Sequence, residues 1–274
     1  MADLTPLRKP GGVPGSAGEP AIAVDRLTKT YETRGGLVQA VRDVSLRVPC
    51  GHVVSLVGQS GCGKSTVLKM IAGLVGYDSG TIEVSGSPAA AGRRDCGIML
   101  QSPVLLPWRT VWDNVLLPVE VMGLDRSQAR ERARELFRLV GLEGFENKHA
   151  WELSGGMQQR ASLARLLVFE PEILLMDEPF AALDEFTRER LDMELASLQE
   201  KLHRTIVYVT HNIGEAVMLS DTVVVMTPRP GEVVDEVLID LPRPRTPDVM
   251  ASRRSLELIT RIRELLVNEE RVAV

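Results

Sequence analysis

The sequence predicts an α/β fold: a mostly parallel sheet, an antiparallel β portion ahead of it and a helical insertion within it. Three observations predict it. A glycine-rich loop, Gly58-Gln59-Ser60-Gly61-Cys62-Gly63-Lys64-Ser65-Thr66, sits between a short apolar run and an apolar helix. Short apolar runs recur at 52–57, 97–100, 172–176 and 205–209, as strands buried on both faces do. Between about residues 102 and 170 the apolar period becomes helical instead.

The loop comes first in the argument because its context is diagnostic. It fits G-x-x-x-x-G-K-[ST], the pattern that cradles nucleoside triphosphate phosphates, and it follows a strand and opens a helix as that pattern requires. Its glycines permit close backbone approach, so successive N–H groups can face oxygen anions. Lys64 supplies a point charge for the β- and γ-phosphates, and Ser65 a hydroxyl for Mg²⁺. The helix that follows, through Ile71 and Ala72, adds the partial positive charge of its N-terminus and stops near Gly73.

Composition narrows the classes. With 274 residues and 44% apolar content, the chain can bury a large core as one domain or two. A net charge of −5 argues against nucleic acid, whose binding draws on a basic surface. The pairs Arg93-Arg94, Arg243 with Arg245, and Arg253-Arg254 read as solvated faces. Cys50, Cys62 and Cys96 form no C-x-x-C pair and are odd in number, so free thiols in a reducing compartment are expected. Residues 1–20 read as a flexible leader, with three prolines and four glycines between 10 and 20 and no apolar signal segment. No run of 18 apolar residues marks a helical membrane span.

The remaining elements follow in chain order. Alternation over 21–27 and 38–48 predicts antiparallel strands with one wet face. Tyr31, in a polar loop between them, has two readings: stacking on an adenine ring, or packing on a strand. Thr81–Val84 is a further strand, and Gly97–Leu100 a buried one ending on Gln101. Val111–Leu117 opens the helical insertion, and Ala129, Ala133, Leu136, Phe137 and Val140 form one stripe of a helix that Gly141 ends. Ser154 stands where an N-cap belongs, and with Gly155 and Gly156 it makes either a second phosphate seat or an ordinary helix cap.

Glu172–Met176 is a buried strand whose edge carries Asp177 and Glu178. Ligands of open α/β sheets bind beyond the carboxyl ends of strands, which suits Asp177 for Mg²⁺ and Glu178 for polarising a water. Leu191, Leu195, Leu198 and Leu202 stripe the next helix, and the strand 205–209 ends on Thr210-His211. Strands over 222–226 and 233–239 follow, prolines break the chain, and a final helix carries Ile259, Ile262, Leu265 and Leu266.

Taken in this order the motifs resemble the ATPase subunit of an ATP-binding-cassette transporter, over about residues 21–241. Gly58–Thr66 looks like Walker A, Ile173–Asp177 like Walker B, Gln101 like the Q-loop and Ala181–Asp184 like the D-loop. Glu178 matches the catalytic glutamate, His211 the switch histidine and Tyr31 the adenine-stacking aromatic. Leu153–Met157 matches the family signature, with Met157 where glutamine is usual, and the D-loop begins with alanine where serine is common.

The resemblance implies a P-loop NTPase core of the RecA-like type, an ATPase domain over 21–245 with a helical subdomain inserted at about 102–170, and a helical appendage at 246–274. It implies ATP and Mg²⁺ as ligands, with Ser65, Gln101 and Asp177 at the metal. It also implies a head-to-tail homodimer in which Ser154 of one copy completes the site of the other. The wider partners it implies are transmembrane permease subunits and, indirectly, a solute-binding protein, with this chain peripheral at the cytoplasmic face of the cell (inner) membrane. The segment Leu106–Val115 and the tail Arg229-Pro230-Gly231…Asp240–Pro244 look like the nitrate/sulfonate/taurine importer group. Trp108 and Arg109 are then candidate permease contacts, or else a helix anchor and a surface charge. The alternative is a soluble P-loop ATPase or regulatory ATP-binding module uncoupled from transport. Lys64→Ala is expected to weaken nucleotide binding itself, and an unchanged ATP affinity in equilibrium binding would contradict the loop assignment.

Overall fold

In a computed structural model of the chain, residues 19–272 are described, so all of the expected leader except Glu19 and Pro20 lies outside the described residues. Two sheets form. The first is antiparallel, built from β1 (Ile22–Thr33), β2 (Gly36–Val48), β4 (Ser79–Val84) and β5 (Ser87–Pro88) in the order β2-β1-β4-β5. Its alternating sequence buries Ile22, Val24, Val44, Leu46, Val48, Ile82 and Val84 and leaves the intervening residues wetter.

The second sheet has the order β10-β9-β3-β8-β7-β6, with only β10 antiparallel to its neighbour. Its strands are β3 (Val53–Val57), β6 (Cys96–Met99), β7 (Ile173–Asp177), β8 (Thr205–Thr210), β9 (Thr222–Met226) and β10 (Val233–Leu238). Every residue of β3, β7 and β8 is buried, because helices and the first sheet cover both faces. The two sheets share a core through Ile22, Leu46, Leu56, Leu68, Ile71 and Val207, where α1 (Lys64–Ile71) packs between them.

The helical insertion between β6 and β7 contains α2 (Val111–Met122), α3 (Arg126–Leu139) and α4 (Gly155–Leu167). Thr110 caps α2 by accepting from the Asp113 amide, and Asp125 caps α3 by accepting from the Ser127 and Gln128 amides. The expected stripe of Ala129, Ala133, Leu136, Phe137 and Val140 is buried against α4 and the second sheet. Arg132, next to that stripe, is buried as well, and its Nη2 lies 3.3 Å from the Glu170 carboxylate.

Two sequence expectations are corrected. Tyr31 is not in a loop: β1 runs on to Thr33 and Tyr31 pairs with Val38, because the hairpin is tight and both chains keep their hydrogen bonds. Nor is the Arg243–Arg245 pair a solvated face. Arg245 is buried and donates to the carbonyls of Val217, Met218, Ser220 and Ile239. These are largely the unpaired last carbonyls of α6 (Ile213–Leu219), which a guanidinium can satisfy several at a time. Arg243 pairs with Asp221 at 2.8 Å, and Arg93 with Asp95 at 2.6 Å.

After β10 come the short α7 (Pro247–Met250) and the long α8 (Arg253–Val272). Leu258 and Ile262 of α8 are buried in one cluster with Val57, Ala216, Val225 and Val237, so this helix covers the outer end of the second sheet. Ile262→Ala is expected to lower stability by about 2–4 kcal/mol, the usual toll of deleting a large buried aliphatic side chain. Urea unfolding checks it; an unmoved midpoint would mean α8 is not docked.

Candidate active site

Parallel strands bring the loops at their carboxyl ends to one edge. Here β3 delivers the glycine-rich loop, β8 delivers His211, β7 delivers Asp177 and Glu178, and β6 delivers Gln101. The register sets Val57 beside Thr210, Val209 beside Asp177 and Met176 beside Met99. A cleft of about 400 Å³ opens at this edge. It is lined by Ser60, Gly61, Gly63, Lys64, Ser65 and Thr66 of the loop, by Tyr31 of the hairpin, and by Gln101 and Glu178.

Within the loop, Lys64 is 4% exposed, and its Nζ donates to the carbonyls of Gly58 at 2.7 Å and Gln59 at 2.8 Å. Carbonyl dipoles solvate its charge without cancelling it, so an anion entering the loop meets a positive ammonium. Gly63 has φ +105°, and a Cβ there would stand 2.5 Å from Val41 Cγ1 and 2.8 Å from the Ala40 carbonyl. Only glycine lets the loop pass this close under β2. Cys62 is buried beside Gly58, 3.7 Å from Lys64 Nζ. The Lys29 ammonium lies 5.4 Å from the centre of the Tyr31 ring, which forms part of the cleft wall.

The carboxylates are held differently from each other. Ser65 Oγ donates to Asp177 Oδ1 at 2.6 Å. Burial lifts the Asp177 carboxyl above its ordinary range, the neighbouring Glu178 charge adds to this, and the Ser65 bond opposes it. A carboxylate under such strain, next to a hydroxyl, is an oxygen donor set that suits a hard cation. Mg²⁺ typically takes one or two carboxylates and completes its shell with water and phosphate, so Ser65 and Asp177 fit it.

Glu178 has φ +45°, rare for a residue with a side chain. Its amide donates to the Val209 carbonyl at 2.9 Å, so the chain turns sharply off β7 and swings the carboxylate over the cleft. Gln101 Nε2 donates to Glu178 Oε2 at 3.2 Å, and His211 Nδ1 lies 3.4 Å from the same oxygen. His211 is 62% exposed and free to reach into the cleft.

Ser154, Gly155 and Gly156 are not gathered into this cleft. Ser154 caps α4, accepting from the Met157 amide, and is exposed. Trp108 is 72% exposed rather than anchoring a helix; that task falls to Trp112, which packs on Phe137. Arg109 pairs with Glu120 at 2.7 Å.

Sequence reasoning missed a set of groups on α4. Gln159 donates to the Gln101 carbonyl, Ser162 to that of Pro103, and Arg165 to those of Pro103 and Val104. They tie the segment after β6 to the helix. Their spacing at 159, 162 and 165 is the one available sign that they share a face. Arg229, at the turn between β9 and β10, also lines the cleft.

Comparison with known proteins follows the same lines. Residues 41–181 match the family model described as ABC transporter. The chain is 42% identical over 245 residues to an ABC transporter ATP-binding protein of Methanocaldococcus jannaschii, covering 89% of this chain and 90% of that protein. The chain belongs to the ABC transporter family. As a member of it, the protein is an ATP-binding subunit and an ATP hydrolase, with the P-loop NTPase fold expected from the motifs. It is 41% identical over 255 residues to a taurine import ATP-binding protein of Rhizobium johnstonii, covering 91% of this chain and 97% of that one. Among solved structures, a dimeric bacterial ABC transporter cassette aligns with a TM-score of 0.73 at 33% identity, covering 80% of this chain and 98% of the other. A dimeric post-hydrolysis cassette bound to ADP and Pi aligns with the same TM-score at 32% identity and the same coverage.

A charged cluster lies behind the His211 strand end. Thr210 Oγ1 donates to Glu215 Oε2 at 2.7 Å, and Arg188 Nε lies 3.6 Å from Glu215 Oε1. Asp192 is buried nearby; burial first, and then the Glu215 charge, push its carboxyl up to about 8. The unfolded chain therefore releases this proton first, near pH 4, and stability falls as pH rises from there towards about 8. Asp192→Asn is expected to flatten that decline and to be more stable than the parent at pH 8. Denaturant titrations at pH 5 and pH 8 check it, and equal pH dependence of the two proteins would contradict it.

Proposed function

We propose that this chain is the nucleotide-binding subunit of an importer, hydrolysing ATP to ADP and phosphate as a head-to-tail homodimer beneath separate membrane subunits. The observation that carries the catalytic part is the placement of Glu178. A left-handed backbone turns its carboxylate into the cleft that holds Lys64, with Gln101 and His211 on the same oxygen.

The steps follow from the groups present. The amides of Gly61 to Thr66 and the Lys64 ammonium receive the β- and γ-phosphates, while Gly58, Gln59 and Cys62 shape the loop around them. Tyr31 stacks on the adenine ring from the hairpin wall. Ser65, Asp177 and Gln101 hold Mg²⁺, which when bound neutralises charge on the β- and γ-phosphate oxygens. Glu178 accepts a hydrogen bond from the attacking water and aligns it with the γ-phosphorus. His211 steadies that carboxylate and reaches the γ-phosphate. Phosphoryl transfer needs little more than this positioning and charge stabilisation.

The dimer is supported by the position of Ser154. Its oxygen accepts from the Met157 amide, its O–H remains to donate, and it is exposed and does not line its own chain's cleft. With the amides of Gly155 and Gly156 it makes an anion seat that only a second copy's γ-phosphate can fill. ATP then draws the two copies together, and its hydrolysis releases them.

The import direction and the solute group, of nitrate, sulfonate or taurine type, rest on the relatives named for taurine import. Among the described residues no helix is long and apolar enough to cross a membrane, consistent with a peripheral subunit on the cytoplasmic face that borrows its spans from permease partners. Exposed Trp108 is a contact for those partners, with Arg109 beside it. A solute-binding protein joins the assembly indirectly.

Glu178→Gln is expected to keep ATP affinity and lose about 10²–10⁴-fold in turnover, the range for removing a general base. With Mg²⁺ and saturating ATP it accumulates as a dimer by light scattering. Undiminished hydrolysis would remove Glu178 from the role, and a variant that stays monomeric would remove the shared site.

A further inference from the structure

The turn between β9 and β10 brings Arg229, a charged side chain that the ATPase motifs leave without a task, to the wall of the cleft. It reads Thr227-Pro228-Arg229-Pro230-Gly231. Thr227 closes it from inside: its Oγ1 donates to the Pro230 carbonyl and accepts from the Glu232 amide, both at 2.9 Å. The closed turn is then fastened to the hairpin that roofs the phosphate loop. The Gly231 amide donates to the Ala40 carbonyl and the Arg42 amide donates to the Gly231 carbonyl, each at 3.0 Å, while the Arg42 side chain pairs with Glu232. The fit allows no side chain at Gly231, where a Cβ would fall 1.9 Å from the Cys62 carbonyl oxygen.

Arg229 projects from this fixed turn to the loop itself. Its Nε and Nη2 donate to the Gly61 carbonyl at 3.2 and 3.1 Å, and its side chain lines the cleft with Ser60, Lys64 and Ser65. Among the described residues it has no carboxylate partner, so its charge is not consumed by the protein. Guanidinium is weakly hydrated and has five donors, of which a single carbonyl uses two. A hydrogen bond from a cation to the Gly61 oxygen also polarises that peptide unit, whose Cys62 amide donates to the Gln59 carbonyl at 3.3 Å, so the arginine and this bond together hold the loop's turn.

We propose that Arg229 is a positioning residue for the polyphosphate of the nucleotide. It holds the Gly61 peptide of the phosphate loop in place and adds a second positive charge to the cleft that Lys64 lines. This rests on the nucleotide reading of the cleft given above. The contribution falls on binding rather than on the chemical step, because Arg229 is bonded to the loop and not to Glu178, Gln101 or His211. It also grows with the number of phosphates.

The test uses the full chain with Mg²⁺ and compares the parent with Arg229→Gln and Arg229→Lys. Arg229→Gln is expected to raise the ATP Kd and KM about three- to tenfold, as for an exposed charge-assisted contact, with the effect on KM rather than kcat. Adenosine affinity is expected to stay put, and the ATP deficit to shrink in about 0.5 M salt as screening removes the charge contribution. Arg229→Lys recovers part of the loss, since it keeps the charge without the fork. Thermal melts without nucleotide confirm that each variant is folded. Equal ATP affinity in parent and Arg229→Gln, or equal loss of ATP and adenosine, would overturn the proposal while leaving the nucleotide site intact. A parent chain that binds no ATP would overturn both.

Discussion

A buried ammonium held by backbone carbonyls is the constraint on which the rest of this structure turns. Lys64 is satisfied by the carbonyls of Gly58 and Gln59, and those carbonyls face inward only if the loop is held in one conformation. Isolated, such a loop would relax to give its amides and its lysine to water. It is held by its surroundings: β3 on one side, α1 on the other, and β2 pressed so close over Gly63 that a single methyl group would not fit. The antiparallel sheet therefore has a definite purpose in the architecture. It shares a core with the parallel sheet and serves as the lid that keeps the phosphate loop shaped.

The same edge gathers the groups proposed to act on the nucleotide because parallel strands all end there. Adjacency in the sheet, β3 to β8 to β7 to β6, converts sequence separations of 112 and 77 residues into contacts of 2.6 and 3.2 Å, between Ser65 and Asp177 and between Gln101 and Glu178. One strained backbone position, at Glu178, completes the arrangement, and it is held by its amide bond to β8. Gln101 is less well supported by its own strand. Its segment is tied instead by Gln159, Ser162 and Arg165 of α4, the helix that Ser154 caps. One helix thus braces a side chain on the Glu178 carboxylate and is capped by Ser154, the residue proposed as an anion seat for a second copy.

Charge buried away from the site is handled by local pairing. Arg132 meets Glu170, and Arg245 collects the last carbonyls of α6. Asp192, packed under the strand that ends in His211, keeps its proton instead. These groups lie in the seams between helices and sheet, where a neutral carboxyl or a carbonyl-bound guanidinium is tolerated and an unpaired charge is not.

Much of this was legible in the sequence, for identifiable reasons. Strands buried on both faces read as continuous apolar runs, the stripe of Ala129, Ala133, Leu136 and Phe137 reads at helical spacing, and the phosphate loop, Asp177-Glu178, Gln101 and His211 stand at strand ends that periodicity alone can find. Local chemistry of this kind depends on residues within a few positions of each other, so the chain by itself determined the fold class and the principal residues of the cleft. Tertiary structure decided what depends on remote partners: that Tyr31 lies in a strand rather than a loop, that Arg245 is interior, that α4 braces Gln101, and that Arg229 reaches the loop some 168 positions earlier in the chain. An arginine followed by proline and glycine looks like any polar turn until the neighbouring sheet places it. Hydrogen bonds between such distant groups leave no period in the sequence, because their geometry is set by sheet order and packing rather than by spacing.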